Sequence, residues 1–308
     1  MVWSMVRPTT LVANQLVRAM GIKRRMEKIA AAEHDPGLLA ELVEKLRRTD
    51  RPEPSRRLRR QWDVETVDVS GHPLQILTNP GADHRRLILY LHGGGYMFGP
   101  FPTEWAACHR LATATSCDFA VLVYPKAPEH QAPETVDVAM RSYSLLEERY
   151  SADNIIFMGT SAGGGLALAL LADLRDAGRP TPRSVVLISP GVDMTLAEPV
   201  DHLEDRDVLL SAAHVRSAGR LYAGDLGPAH PHISPTNGEL AGLPRVQVFA
   251  GTDEILFPSL MTFVGRAQAA GVDVESVVGD GQQHTWPLAP TPDGRAALSE
   301  ISRFVSDG

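Results

Sequence analysis

The segment I-I-F-M-G-T-S-A-G-G at residues 155–164, followed by G-L-A-L-A-L-L at residues 165–171, decides the fold. Residues 155–158 are a short apolar run typical of a buried strand, and residues 165–171 continue as an apolar helix. The small residues between them predict a sharp strand-to-helix turn that exposes the hydroxyl of Ser161. Because Ser161 would lie at a helix N-terminus, where the dipole favours negative charge, it is a candidate nucleophile.

Other short apolar runs alternate with helical patterns from about residue 62 onward. Runs that are nearly continuously apolar are typical of strands buried on both faces, so we expect an α/β fold with a mainly parallel sheet and helices on both faces. Active sites of such sheets lie at the carboxyl ends of the strands. The predicted strands are residues 87–91, 120–124, 155–158, 185–188 and 246–250.

The composition excludes several classes of protein. The chain has 308 residues, of which 44% are hydrophobic and 22% charged, so it is neither disordered, collagen-like nor a coiled coil. Its two cysteines, Cys108 and Cys117, cannot form a disulfide framework or a four-ligand zinc site. No apolar run approaches the roughly 20 residues of a membrane span, and Arg7 interrupts the apolar start. We therefore expect a cytoplasmic protein without stable membrane insertion.

The N-terminal region differs from the rest of the chain. Residues 1–60 contain 14 Lys and Arg against 7 Asp and Glu, whereas the whole chain has a net charge of −7. The acidic total and the absence of a nucleic-acid motif argue against nucleic acid as a partner, and Arg56, Arg57, Arg59 and Arg60 fit a solvated segment boundary. Attachment of the basic segment to an anionic membrane surface stays open as an alternative.

Two segments are predicted to lie outside the central sheet. Residues 1–55 read as helices, with an apolar stripe at Leu38, Leu39, Leu42, Val43 and Leu46. Residues 195–232 separate two predicted strands, contain a helical stretch at 211–222, and are too long for a simple connection. We expect the second segment to form a lid or cap.

A glycine run follows the first predicted strand. In His92-Gly93-Gly94-Gly95-Tyr96 the backbone amides are unobstructed and can converge on an oxyanion. Such preorganised donors each lower a barrier by about 3 kcal/mol. The amide of Ala162 would complete this oxyanion hole from the other side. His92 itself is expected to brace the loop.

A serine nucleophile needs a histidine base that is held by an acid. Of eleven histidines, His284 comes late enough, in a loop after the strand-like residues 274–278. The pair His230 and His232 lacks a carboxylate or cysteine at ligand spacing, so no metal site is expected. The acid must lie just after residues 246–250, where Asp253 and Glu254 are adjacent and point in different directions. Only one of the two can reach His284.

These motifs together resemble the hormone-sensitive lipase family of α/β-hydrolases, the bacterial family IV carboxylesterases, over roughly residues 60–308. The glycine run matches the family's oxyanion motif, and residues 159–164 match its G-T-S-A-G-G subgroup. Residues 124–130 resemble Y-R-L-A-P-E-H, from which Pro125 and Lys126 depart. Residues 243–244 and 251–256 also match.

The resemblance implies an α/β-hydrolase fold with a helical cap. Residues 1–55 and about 195–225 would form the cap, and residues 60–308 the catalytic domain. Many members read D-P-L about thirty residues before the histidine, which places Glu254 rather than Asp253 in the role of the acid.

The sequence thus predicts a serine carboxylesterase for short-chain acyl esters that uses neither a metal nor an organic cofactor. There are two alternatives: a lactone or amide hydrolase with the same triad, and a non-catalytic relative that binds a ligand. The sequence also allows a homodimer. The predicted catalytic residues are Ser161, Glu254 and His284, with oxyanion donors at Gly93, Gly94 and Ala162.

Overall fold

The computed structural model describes residues 2–3, 8–80 and 86–307. Its centre is a nine-stranded sheet. The strands are β1 (Val2–Trp3), β2 (Asp63–Val69), β3 (His72–Thr78), β4 (Leu87–Leu91), β5 (Asp118–Leu122), β6 (Ile155–Thr160), β7 (Ser184–Ile188), β8 (Arg245–Gly251) and β9 (Val274–Gly279). They are arranged in the order β1-β9-β8-β7-β6-β4-β5-β3-β2, and only β3 runs in the direction opposite to the other strands. The predicted mainly parallel sheet is confirmed.

Ten helices are present among the described residues. They are α1 (Pro8–Met20), α2 (Ile22–Ala31), α3 (Pro36–Arg47), α4 (Arg56–Gln61), α5 (Pro102–Thr115), α6 (Ala132–Tyr150), α7 (Ala162–Asp176), α8 (Ala212–Ala223), α9 (Phe257–Ala269) and α10 (Pro292–Ser306). In this part of the chain, no helix combines the length and apolar character needed to cross a bilayer.

Helices cover both faces of the sheet because successive strand side chains point to opposite sides. In β4, Leu87 and Leu89 belong to one buried cluster together with residues of α6, α7 and α9. Ile88 and Tyr90 belong to the other, together with residues of α5 and α10. Near-complete burial of the central strands explains their continuous apolar sequence.

Contrary to the prediction, the segment 1–55 does not lie wholly outside the sheet, because Val2–Trp3 forms its edge strand β1 beside β9. The helices of this segment contact residues 195–232 through α2 and α8. Arg220 of α8 forms a bidentate pair with Glu33, with Nε 2.6 Å from Oε1. Of the predicted stripe on α3, Leu39 and Val43 are buried, but Leu38 is 45% exposed. The stripe is therefore narrower than expected. Residues 1 and 4–7 of the predicted segment 1–55 lie outside the described residues.

Three smaller features of the structure bear on what the sequence predicts. The hairpin of β2 and β3 was not predicted individually; its turn at Ser70 and Gly71 has positive φ at both residues. Cys108 and Cys117 are both free and buried. The four arginines of α4 are exposed, in agreement with a solvated boundary.

Candidate active site

Ser161 lies in a strained turn between β6 and α7. Its φ is 53° and its ψ is −120°, a conformation that non-glycine residues seldom adopt. A Cβ on Gly163 would come within 2.0 Å of the carbonyl oxygen of Leu91, and one on Gly159 within 2.4 Å of that of Gly163. The turn is thus closed so tightly that only glycine fits at these two positions.

His284 contacts both Ser161 and Glu254. Its Nε2 lies 2.9 Å from Ser161 Oγ, and its Nδ1 lies 2.6 Å from Glu254 Oε2. The three side chains come from the turn after β6, the turn after β8 and the loop after β9, all at the carboxyl ends of parallel strands. The structure therefore brings together three residues that are separated by up to 123 positions in sequence.

Glu254 is fully buried and its second oxygen is also occupied. Oε1 accepts hydrogen bonds from the amide of Gly251 at 2.8 Å and from the hydroxyl of Ser189 at 3.1 Å. The alternative acid, Asp253, instead forms an ion pair with Arg206 and does not contact His284. Geometry thus selects Glu254 as the partner of the histidine.

The glycine loop differs from its prediction at one position. The amide of Gly93 donates to the carboxylate of Glu104, with 2.6 Å between N and Oε1, so it does not point freely at an incoming carbonyl. Among the described residues, the amides of Gly94 and Ala162 donate to no protein acceptor. Two of the three predicted donors are therefore available, and the third is engaged by a residue that sequence reasoning missed.

His92 braces the loop from inside the protein. It is fully buried, its ring stacks on Tyr124 with centroids 3.9 Å apart, and its Nδ1 lies 2.7 Å from the carbonyl oxygen of Gly93. Burial, together with the charge of Lys126, lowers the pKa of His92 to about 3. The ring is therefore neutral at physiological pH.

Lys126 departs from the family motif but has a definite place in the structure. Its ammonium group contacts Asp50 Oδ2 and the carbonyl oxygen of Gly99, both at 2.7 Å. Asp50 also accepts from the amide of Gly99 at 2.8 Å. Asp50, three residues after the end of α3, is thus tied to the segment that follows the glycine loop.

A second buried carboxylate joins residues 195–232 to the turn that carries Glu254. Asp207 Oδ2 accepts from the amide of Ile255 at 2.8 Å, and Oδ1 accepts from Leu209 and Leu210 at the same distance. Burial raises the pKa of Asp207. Gln283, next to the histidine, accepts from the amide of Val208 at 2.9 Å. No sequence signal distinguishes Asp207 from the acidic residues around it.

A cavity of about 580 Å³ opens above Ser161 and His284. Both outer segments contribute to its lining. From the first come Val17, Met20, Ile22 and Met26, and from the second come Leu209, Leu210, His214, Val215 and Ala218.

Two groups of histidines lie away from this cavity. One group consists of His72, His130 and Glu134, whose potential metal-ligating atoms all lie within 4.8 Å of one another. None of these three residues lines the cavity. His232 is paired with Asp173, with Nε2 2.8 Å from Oδ1. This carboxylate, from α7, could not be foreseen from local spacing.

Comparison with known proteins agrees with this fold. A sequence profile of the alpha/beta hydrolase fold matches residues 88–288. An acetyl-hydrolase from Streptomyces hygroscopicus is 33% identical over 250 residues, covering 79% of this chain and 82% of the relative.

Solved structures extend the similarity to nearly the whole chain. An esterase from the bacterial hormone-sensitive lipase family has a TM-score of 0.79 at 30% identity, covering 98% of this chain and 99% of the other. The structure of EstE5 soaked with p-nitrophenyl butyrate has a TM-score of 0.83 at 27% identity, with the same coverage.

The fold and the comparisons define an α/β-hydrolase. Within that class, the chain belongs to the hormone-sensitive lipase family. It is a carboxylic ester hydrolase, in agreement with the sequence-based expectation.

Proposed function

We propose that the protein is a serine carboxylesterase that hydrolyses short-chain acyl esters with Ser161, His284 and Glu254 as its catalytic triad. One observation carries the proposal: an unbroken chain of hydrogen bonds runs from the Ser161 hydroxyl through the imidazole to a buried carboxylate. A serine hydroxyl becomes nucleophilic when a base of this kind accepts its proton.

In the proposed first step, Ser161 Oγ attacks the ester carbonyl while His284 Nε2 takes the hydroxyl proton. The imidazolium that forms is stabilised by Glu254, which also holds the ring in the tautomer that leaves Nε2 free to accept. His284 then protonates the departing alcohol. A water molecule, activated by the same nitrogen, hydrolyses the acyl-enzyme. The steps use only protein groups and water.

The developing oxyanion would be held by the amides of Gly94 and Ala162, since neither donates to another described residue. Ala162 is the first residue of α7, so the helix dipole adds to its hydrogen bond. The amide of Gly93 is not one of these donors, because it donates to Glu104.

We propose further that α1 to α3, with residues 195–225, form a cap over the catalytic domain of residues 60–308. The cavity lined jointly by the two segments and Ser161 supports this division. Two similar proteins support the preference for short acyl chains, the acetyl-hydrolase and the esterase EstE5, whose crystal was soaked with p-nitrophenyl butyrate.

The test is hydrolysis of p-nitrophenyl esters from acetate to laurate by the wild type, Ser161→Ala and the control Ser299→Ala. Ser299 is exposed on α10, so its variant should match the wild type. We expect activity that is greatest on short chains and lost in Ser161→Ala. A folded wild-type protein that cleaves a lactone or an amide but no ester would contradict the proposal.

A further inference from the structure

The carboxyl group of Glu104 lies buried between the glycine loop and the turn that holds Ser161. The residue is 3% exposed and belongs to the first turn of α5. Its side chain has polar partners from three directions, yet the triad does not include it. Burying a carboxyl group costs free energy unless hydrogen bonds satisfy its oxygens. A buried group that is satisfied in this way also fixes the positions of its hydrogen-bond partners.

One oxygen of Glu104 is fixed by its own helix. Oε2 accepts from the amide of Phe101, the N-cap residue of α5, at 2.9 Å. A carboxylate in this position is stabilised by the helix N-terminus. If this were its only contact, Glu104 would be an ordinary helix-capping residue. The contact involves only one of the two carboxylate oxygens, however.

The other oxygen reaches the glycine loop. Oε1 accepts from the amide of Gly93 at 2.6 Å and from the hydroxyl of Tyr90 at 3.0 Å. The next peptide, whose amide belongs to Gly94, is held at its carbonyl oxygen, which lies 2.7 Å from His92 Nδ1. Glu104 and His92 therefore fix two successive peptides of the loop.

Tyr90 extends the contact to the nucleophile turn. Its hydroxyl lies 2.8 Å from Thr160 Oγ1, and Thr160 directly precedes Ser161. The strands β4 and β6 that carry these residues are adjacent and parallel. Glu104 is thus hydrogen-bonded, directly or through Tyr90, to both backbone segments that supply the proposed oxyanion donors.

We propose that Glu104 is a positioning residue of the oxyanion hole, holding the Gly93 peptide so that the amides of Gly94 and Ala162 converge on the substrate carbonyl. The inference rests on the proposed function, because an oxyanion must form at Ser161 for the hole to matter. A residue that only caps α5 would affect stability but not the balance between kcat and KM. A positioning residue lowers kcat, since these donors act mainly in the transition state.

The experiment compares wild type, Glu104→Ala, Glu104→Asp, Glu104→Gln and Tyr90→Phe with p-nitrophenyl acetate. For Glu104→Ala we expect kcat to fall about 100-fold or more, as after loss of an oxyanion donor, with KM changed by less than about threefold. Glu104→Gln keeps a carbonyl oxygen for Gly93 and should recover most of this loss. Tyr90→Phe removes the hydroxyl that joins Glu104 to Thr160 but leaves the contact of Glu104 with Gly93, so its kcat should fall between those of the other two variants.

A trifluoromethyl ketone provides a second readout, because it forms an oxyanion adduct with the serine. Its inhibition constant should rise in the variants by the same factor as kcat/KM falls. Glu104→Asp keeps a carboxylate near the helix N-terminus but shortens its reach to Gly93. If Glu104→Ala does not fold, a loss of more than about tenfold in kcat for Glu104→Asp, at a wild-type melting temperature, supports the proposal.

Two results would overturn it. One is a folded Glu104→Ala, or in its absence Glu104→Asp, with kcat within about threefold of wild type. The other is an increase in kcat, which would mean that the carboxylate withholds the Gly93 amide from the substrate. Wild type and Ser161→Ala in the same assay separate this failure from failure of the proposed function, because they report on the nucleophile alone.

Discussion

Glu254 Oε2 lies 2.6 Å from His284 Nδ1, while the adjacent carboxylate of Asp253 turns outward to Arg206. Two neighbouring acids thus have different environments: Glu254 is fully buried, whereas the side chain of Asp253 is partly exposed. The backbone amide of Gly251 and the hydroxyl of Ser189 hold Glu254 in place, so its orientation does not depend on the histidine alone.

This difference predicts opposite results for two matched substitutions. Glu254→Gln should lower kcat by about 10³–10⁴-fold, because the amide favours the wrong imidazole tautomer and cannot stabilise the imidazolium. Asp253→Asn should leave kcat within a factor of about three, since an exposed ion pair contributes only about 0–1 kcal/mol. Steady-state kinetics with p-nitrophenyl acetate measures both. A greater loss in Asp253→Asn would assign the acid to the other residue.

The tightness of the nucleophile turn predicts a stability difference between two glycines in helices. Gly163→Ala should destabilise the protein by about 1–3 kcal/mol or more, because the new Cβ would overlap the carbonyl oxygen of Leu91. Gly265→Ala in α9 has open space at its Cβ and should stabilise the helix by up to about 1 kcal/mol. Urea denaturation of the two variants tests the difference. Equal midpoints would contradict the close packing described for the turn.

Asp207 is expected to support the triad from the second outer segment. In Asp207→Ala the buried amide of Ile255 and the partly buried amides of Leu209 and Leu210 lose their acceptor, and a buried, unpaired donor costs about 1–3 kcal/mol. Because Ile255 directly follows Glu254, kcat should fall about tenfold or more along with the melting temperature. The exposed neighbour Asp205 provides the control, and Asp205→Ala should change neither quantity measurably. Identical behaviour of the two variants would remove Asp207 from the account.

The burial of His214 is expected to make the stability of the protein depend on pH. It lies in α8, 4% exposed, and burial lowers its pKa to about 4, against about 6.5 in the unfolded chain. As pH falls below 6.5, the unfolded chain binds a proton that the folded protein does not, so stability is lost down to about pH 4.

His214→Gln should therefore lose less stability than the wild type between pH 6.5 and pH 4. The difference in slope should reach about 1 kcal/mol per pH unit, and urea denaturation at several pH values measures it. The exposed His202→Gln serves as the control and should follow the wild type. Parallel curves for wild type and His214→Gln would show that His214 is not held neutral.

Much of the fold was predictable because it depends on local patterns. Continuous apolar runs identified the central parallel strands, and the small residues around Ser161 identified the turn that β6 and α7 now show. The hairpin of β2 and β3 was harder to recognise, because β2 lies at the sheet edge and most of its side chains are exposed or half-buried. Its sequence therefore has no continuous apolar run.

The candidate site was predictable where chain order and spacing carry the information. The chain order Ser161, Glu254, His284 and the spacing between these residues match known motifs. In the structure the three side chains meet. Glu104 could not be foreseen, because its contact with Gly93 depends on how α5 packs beside the loop. The exposure of Leu38 on α3 could not be predicted for the same reason. Tertiary contacts decide which residues of an apolar stripe are buried.

During ester hydrolysis Ser161 is expected to form a covalent acyl-enzyme. Reaction with the organophosphate paraoxon, followed by peptide mapping by mass spectrometry, tests it most directly. We predict one diethylphosphoryl group per chain, located on Ser161, with loss of esterase activity in proportion to labelling and no adduct in Ser161→Ala. A label on another residue that tracks the loss of activity, or full esterase activity in Ser161→Ala, would contradict the account.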